Sequence, residues 1–170
     1  LHEGIVSIGQ NAFNGCPLKT LTLPGTLKTV ARGAFYYHQL SEITIPASVE
    51  TIGDAAFECT PKALNLAKVT LNEGLRNIGK YAFRNGRLSE VTLPNSLERL
   101  DPEAFLGHVG YQESGVVRLY TENKTPLSYT VNFPASSPHS IQLITVYLPP
   151  EDFPYNGTPL HCLSASGLSK

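Results

Sequence analysis

Aliphatic residues recur along this chain in a pattern that repeats about every 22 positions. Leu18, Leu40, Leu66 and Leu88 occupy one column; Leu21, Ile43, Val69 and Val91 fill the next; Leu23, Ile45, Leu71 and Leu93 follow two residues on. Between the last two columns stand Thr22, Thr44, Thr70 and Thr92, and before them Thr20, Glu42, Lys68 and Glu90. Alternation of this kind predicts a short strand with one face in the core and the other in water. Pro24, Pro46 and Pro94 come directly after it. Proline has no amide proton with which to continue a ladder, so the strand is predicted to stop there. Asn72, a turn former, holds that place in the third unit.

A second apolar pair, spaced by three, follows each predicted strand: Ile5/Ile8, Leu27/Val30, Val49/Ile52, Leu75/Ile78 and Leu97/Leu100. Gly9, Gly53 and Gly79 come next in three units and suit a tight turn, with Ala31 and Asp101 in the other two. Each unit then closes on an Ala-Phe pair, at Ala12-Phe13, Ala34-Phe35, Ala56-Phe57, Ala82-Phe83 and Ala104-Phe105. The phenylalanines are 22, 22, 26 and 22 positions apart. A fixed period in the twenties with leucines at constant offsets predicts a leucine-rich-repeat solenoid. One such unit buries too few side chains to fold alone, so the units must stack. Stacking makes the phenylalanines a continuous aromatic spine rather than a ligand box.

The repeated strand L-x-x-[IV]-x-[LI]-P, the Ile-Gly turn and the Ala-Phe-x-x-Cys closing segment together resemble the BspA-like, or treponemal, subclass of leucine-rich repeat. The match runs from residue 1 to about 108. It departs at the closing cysteine, which is present at Cys16 and becomes His38, Thr60, Gly86 and His108 later, and at a four-residue insertion between Phe57 and Leu66 that carries Pro61 and Lys62. The resemblance implies a right-handed, horseshoe-like superhelix. It is mainly β, with a strand ladder on one face, short turns or 3-10 connections on the other, and a C-terminal β cap. Residues 1–108 are expected to hold five tandem units, the first truncated; 109–155 degenerate last repeats and the cap; 156–170 a tail. The segment TVYLPPEDFPY resembles the family's terminal element.

Charge and motif content remove several function classes. A net charge of −1 supplies no field for nucleic acid. No apolar run approaches the ~18 residues of a bilayer span, so no membrane insertion is expected within this fragment. Leu1 aligns with Leu23 and Leu71 in mid-repeat and the chain has no methionine, which predicts a piece of a longer protein. Cys16 and Cys59 lie two units apart, about 10 Å at ~4.8 Å per strand, too far for a bridge, and are expected as free thiols. His2, His38, His108, His139 and His161 show no ligand spacing, so neither metal nor cofactor is expected. No nucleophile elbow, zinc helix or phosphate loop occurs, and no enzymatic activity is expected. Asn123-Lys124-Thr125 and Asn156-Gly157-Thr158 fit the glycosylation pattern.

The candidate ligand-binding residues are the outward positions of the predicted ladder. Thr22, Thr44, Thr70 and Thr92 form one column, continued by Arg118 and Tyr147. Thr20, Glu42, Lys68 and Glu90 form its neighbour, continued by Val116 and Thr145. Threonine is also a good strand former, and opposite charges on adjacent strands also support register, so scaffold and binding face are both open readings of these columns. Arg118 and Tyr147 are of the types enriched at binding hot spots. The family resemblance implies a non-catalytic recognition or adhesion module at the cell surface or secreted. Its partner would be a host matrix or cell-surface protein, or a glycan. The alternative is a spacer or stalk segment with no ligand of its own.

Overall fold

The computed structural model describes residues 1–60, 65–88, 90–101 and 103–105, together with the strands at Arg118–Thr121, Thr145–Tyr147 and Leu160–His161. It is a parallel-strand β-solenoid, and no helix occurs among the described residues. The predicted four-residue strands are present as β3 (Glu42–Ile45), β5 (Lys68–Leu71) and β7 (Glu90–Leu93), each ending where proline or Asn72 follows. In β3 and β7 exposed and buried residues alternate strictly. A second ladder runs along the second apolar pair, for which no strand was expected: β1 (Ser7–Ile8), β2 (Thr29–Val30), β4 (Thr51–Ile52), β6 (Asn77–Ile78) and β8 (Arg99–Leu100) pair in parallel as one five-stranded sheet. Two residues per coil are too few for a period of two to register in sequence. The ladder exists because stacking puts each pair above its counterpart, with Ile8, Val30, Ile52, Ile78 and Leu100 all buried.

The first unit departs from expectation. Residues 18–23 carry the apolar columns but form no strand, and no backbone hydrogen bond joins residues 20–23 to β3. At the other end, β9 (Arg118–Thr121) pairs in parallel with β7 and with β10 (Thr145–Tyr147), and β11 (Leu160–His161) pairs antiparallel to β10. Their register corrects the predicted columns. Arg118 stands beside Glu90 and Thr145, where Val116 was expected, while Tyr120 stands beside Thr92 and Tyr147. The predicted cap, the tail, the Pro61 loop, Cys162 and both glycosylation patterns otherwise lie outside the described residues.

The Ala-Phe corners form the third side of each coil. Phe13, Phe35, Phe57, Phe83 and Phe105 stack with centroids 5.2, 5.1, 5.6 and 5.2 Å apart and planes within 12° of parallel. The amides of Phe13, Phe35, Phe57 and Phe83 donate to the carbonyls of Ala34, Ala56, Ala82 and Ala104 one coil on, at 2.7 to 2.8 Å. The residue before each of the first four pairs turns left-handed, at Asn11, Gly33, Ala55 and Tyr81, with φ between 53° and 61°. The corner therefore has a ladder of its own, with an alanine too buried to be larger. Gly53 is fixed by close approach rather than by φ, since a Cβ there would sit 2.7 Å from the amide nitrogen of Arg32. At Gly74 both constraints apply: φ is 109° and a Cβ would strike the carbonyl oxygen of Ala47.

His38 joins the second and third coils. Its Nδ1 accepts the Leu40 amide proton at 2.9 Å, which leaves Nε2–H to donate to the Phe57 carbonyl at 3.1 Å. Acceptance at Nδ1 requires the neutral ring, and burial holds its pKa below the ordinary histidine value although the Phe57 contact acts the other way. The structure also corrects the closing position of the third unit. His38 bridges to Cys59 rather than to Thr60, because this coil lacks the left-handed residue that Gly15, Tyr37 and Asn85 supply elsewhere. Cys59 is a buried free thiol, as expected, whereas the free thiol of Cys16 is half-buried. Burial pushes the Cys59 pKa up to about 11, which keeps it protonated and inert.

Three outcomes are expected. Phe57→Ala, which opens the spine between two stacked neighbours, costs about 3–5 kcal/mol in urea unfolding. Gly74→Ala costs more than about 1–2 kcal/mol, because a forbidden φ and a backbone collision act together. For His38, the unfolded ring takes up a proton below about pH 6.5 and the folded ring only at lower pH. Stability is thus full above pH 6.5 and is lost as pH falls toward the depressed folded value; His38→Asn flattens the urea midpoint between pH 7 and pH 5.

Candidate functional site

The missing pairing between residues 20–23 and β3 leaves a groove of ≈ 310 Å³ on the ladder face. Its floor contains Leu21, Leu23 and Ile43, and its walls contain Thr22, Thr44, Thr70, Glu42 and Lys68. Five of the nine predicted site residues thus meet around one opening. Local sequence explains the arrangement. Period-two alternation turns the apolar columns inward, while Thr22, Thr44, Glu42 and Lys68 stay exposed and Thr70 half-buried. Glu42 lies opposite Lys68 and Thr44 opposite Thr70 in the β3–β5 register.

Four predicted residues lie outside the groove. Thr92 and Glu90 are exposed on β7, farther along the ladder face. Arg118 and Tyr147 are placed by strand register alone, in the Glu90 and Thr92 columns respectively. Opposite charges therefore face each other in register twice, Glu42 with Lys68 in the β3–β5 sheet and Glu90 with Arg118 in the separate sheet that contains β7 and β9. The chemistry available in the groove is hydrogen bonding by hydroxyls, one carboxylate and one ammonium over an apolar floor. It contains no histidine or cysteine, and no group of three or more His, Cys, Asp or Glu that could hold a metal occurs among the described residues.

Elsewhere the charged residues largely satisfy one another. Lys28 pairs with Glu50 at 3.0 Å, Arg76 pairs with Glu98, and both pairs bridge adjacent coils beside the second ladder. Such exposed pairs contribute about 0–1 kcal/mol each and serve register more than stability. Glu73 accepts the Asn95 and Ser96 amide protons across the coil boundary, and these bonds hold its carboxyl below the ordinary range.

The corner face carries a cluster that sequence reasoning missed. The rings of Tyr36 and Tyr37 stack at 3.8 Å. Glu58 lies in the same corner position one coil on, nearly buried, and meets Arg84 of the following coil at 3.7 Å. The Arg84 guanidinium stands 4.5 Å from the Tyr81 ring centroid, and Lys80, paired with Glu103 at 2.7 Å, stands 4.8 Å from it. Burial raises the Glu58 pKa, partly offset by Arg84; burial, Tyr37 and Glu58 raise that of Tyr36. The available sequence signal was tyrosine at corners where other units carry glycine or asparagine.

The BspA type leucine rich repeat region matches six copies over residues 1–110. A leucine-rich repeat protein from Bacteroides ovatus has a similar solved structure, with a TM-score of 0.55 and 25% sequence identity, over 76% of this chain. The chain spans 37% of that protein's length. No curated protein matches the sequence. Leucine-rich repeats of this kind are typically non-catalytic interaction or surface modules. With matched copies over residues 1–110 and a shared strand architecture, the chain belongs to the BspA-type leucine-rich-repeat family.

Proposed function

We propose that this chain is a recognition module of a surface or secreted protein. It holds an extended segment of a host matrix or cell-surface protein in the ladder-face groove. The observation that carries this reading is the groove itself, where exposed threonines and an opposed Glu42/Lys68 pair surround an apolar floor. A polypeptide suits it better than a glycan because β3 pairs with β5 on one edge and makes no backbone hydrogen bond to residues 20–23 on the other. An extended segment supplies main-chain partners to a strand edge and side chains to the floor at alternate positions. Glu90, Thr92, Arg118 and Tyr147 extend the two polar columns along the strand order and offer further contacts. The chemistry is association alone, with no bond made or broken.

A spacer reading has one observation in its favour. Beside the second ladder the charges are engaged with each other along the solenoid, so that face has little left for a ligand.

The test is saturable binding of the chain to an array of host matrix proteins, with and without the charge swap Glu42→Lys/Lys68→Glu. The swap keeps opposite charges across the β3–β5 register, so its melting midpoint is expected to match wild type. Affinity is expected to fall roughly tenfold or more, because swapped charges oppose the ligand's own. Unchanged affinity moves the site off the groove, and no binding by the wild type puts the spacer ahead.

A further inference from the structure

The corner face presents aromatic residues that the solenoid does not require. Tyr37 and Tyr81 both hold left-handed backbone, at φ 65° and 59°, a region unfavourable for a bulky side chain. The equivalent corners use Gly15 and Asn85 in place of Tyr37, and Asn11, Gly33 and Ala55 in place of Tyr81. The turn is thus made elsewhere by small residues, mostly glycine or asparagine, that fit it better. Strained positions of this kind concentrate at functional sites, and here two of them fall on one face.

Around them runs a continuous chain of contacts across three coils. Tyr37 stacks on Tyr36; Glu58, in the corner position next to Tyr36, meets Arg84; Arg84 and Lys80 both approach the ring of Tyr81. Each cation has a carboxylate, Glu58 for Arg84 and Glu103 for Lys80, so the cluster has no net charge to offer. The Nε–H of Arg84 is buried and has no acceptor. A buried donor without a partner needs an explanation, and a ligand oxygen or the rearrangement that admits one supplies it.

We infer that this face binds a neutral oligosaccharide, with the exposed Tyr37 ring as the stacking platform, Arg84 and the Tyr36 hydroxyl as hydrogen-bonding groups, and the Tyr81 ring holding Arg84 in place. A sugar ring has an apolar C–H face and a rim of hydroxyls. It fits where flat aromatic surface alternates with donors and acceptors. Charge compensation within the cluster selects a neutral ligand over an acidic one. The cluster sets donors and acceptors around one exposed ring, an arrangement that the hydroxyl rim of a sugar satisfies. Tyr37 is the large exposed apolar residue here, the others among the described residues being Leu1 and Val6. Glu58 is a positioning residue, too buried to meet the sugar but fixed against Arg84. The site is separate from the ladder-face groove and does not depend on it.

Titration calorimetry of the chain with cellohexaose, laminarihexaose and mannohexaose tests the inference, with hexagalacturonate as the acidic comparison. The informative variant is Tyr37→Gly/Tyr81→Gly, which removes both rings and puts at each corner a residue suited to its φ. Should the glycines loosen the turns, Tyr37→Asn/Tyr81→Asn takes their place, since Asn11 and Asn85 already adopt this backbone. The expected result is saturable binding of at least one neutral hexaose by the wild type, weakened roughly tenfold or more in the variant at an unchanged melting midpoint. Binding retained by the variant, binding of hexagalacturonate alone, or no binding of any neutral hexaose overturns it.

Discussion

The stacked phenylalanine spine is the constraint on which this solenoid depends. Its rings repeat at 5.1 to 5.6 Å, slightly more than the ~4.8 Å between hydrogen-bonded strands. Nearly parallel rings at that distance are offset along the stack, an arrangement aromatic pairs favour. The first four phenylalanines also donate their amide protons to the alanine carbonyl one coil on, so ring spacing and backbone spacing are set at the same corner. The two strand ladders on the other sides inherit that repeat. Their aliphatic columns, from Ile8 to Leu100 and from Ile43 to Val91, fill the space between the ladders and the spine.

The same geometry governs the surface. With coils in fixed succession, any side chain meets its counterpart 22 or 26 positions away. Lys28 and Glu50, Arg76 and Glu98, and Glu73 with the amides of Asn95 and Ser96 all connect in this way. Polar groups spent along the axis tie coil to coil and leave less for a partner. The two places where this economy breaks down are therefore informative. One is the ladder face, where strand pairing is absent beside β3 and again between β5 and β7. The other is the corner cluster, where tyrosines occupy backbone suited to glycine. Both are departures from the repeat, and a repeat protein carries its specificity in such departures.

Buried polar chemistry here is structural. His38 and Cys59 lie 3.8 Å apart, yet the imidazole is committed to Leu40 and Phe57, and the thiol is held protonated by burial. Neither ring nitrogen is left to act as a base toward sulfur. The pair fills the closing position of two successive coils, the role the family pattern gives to cysteine.

The sequence by itself determined the solenoid, its period, the four-residue strands of three units and the aromatic spine. Each of these is a one-dimensional pattern: alternation of two, a recurrence of 22 and fixed offsets within the unit. The exposed columns of the ladder face followed from the same alternation. Only the tertiary structure decided what depends on neighbouring coils. The second ladder is invisible at two residues per coil, and Arg118 changed column because register between strands is set by pairing, not by counting through a segment without motifs. Residues 18–23 have the strand pattern without the strand, since a ladder needs hydrogen bonds to a neighbour and these are not made to β3. The corner cluster is assembled from residues up to 67 positions apart, between Tyr36 and Glu103, and their meeting is a property of stacking that no local pattern encodes.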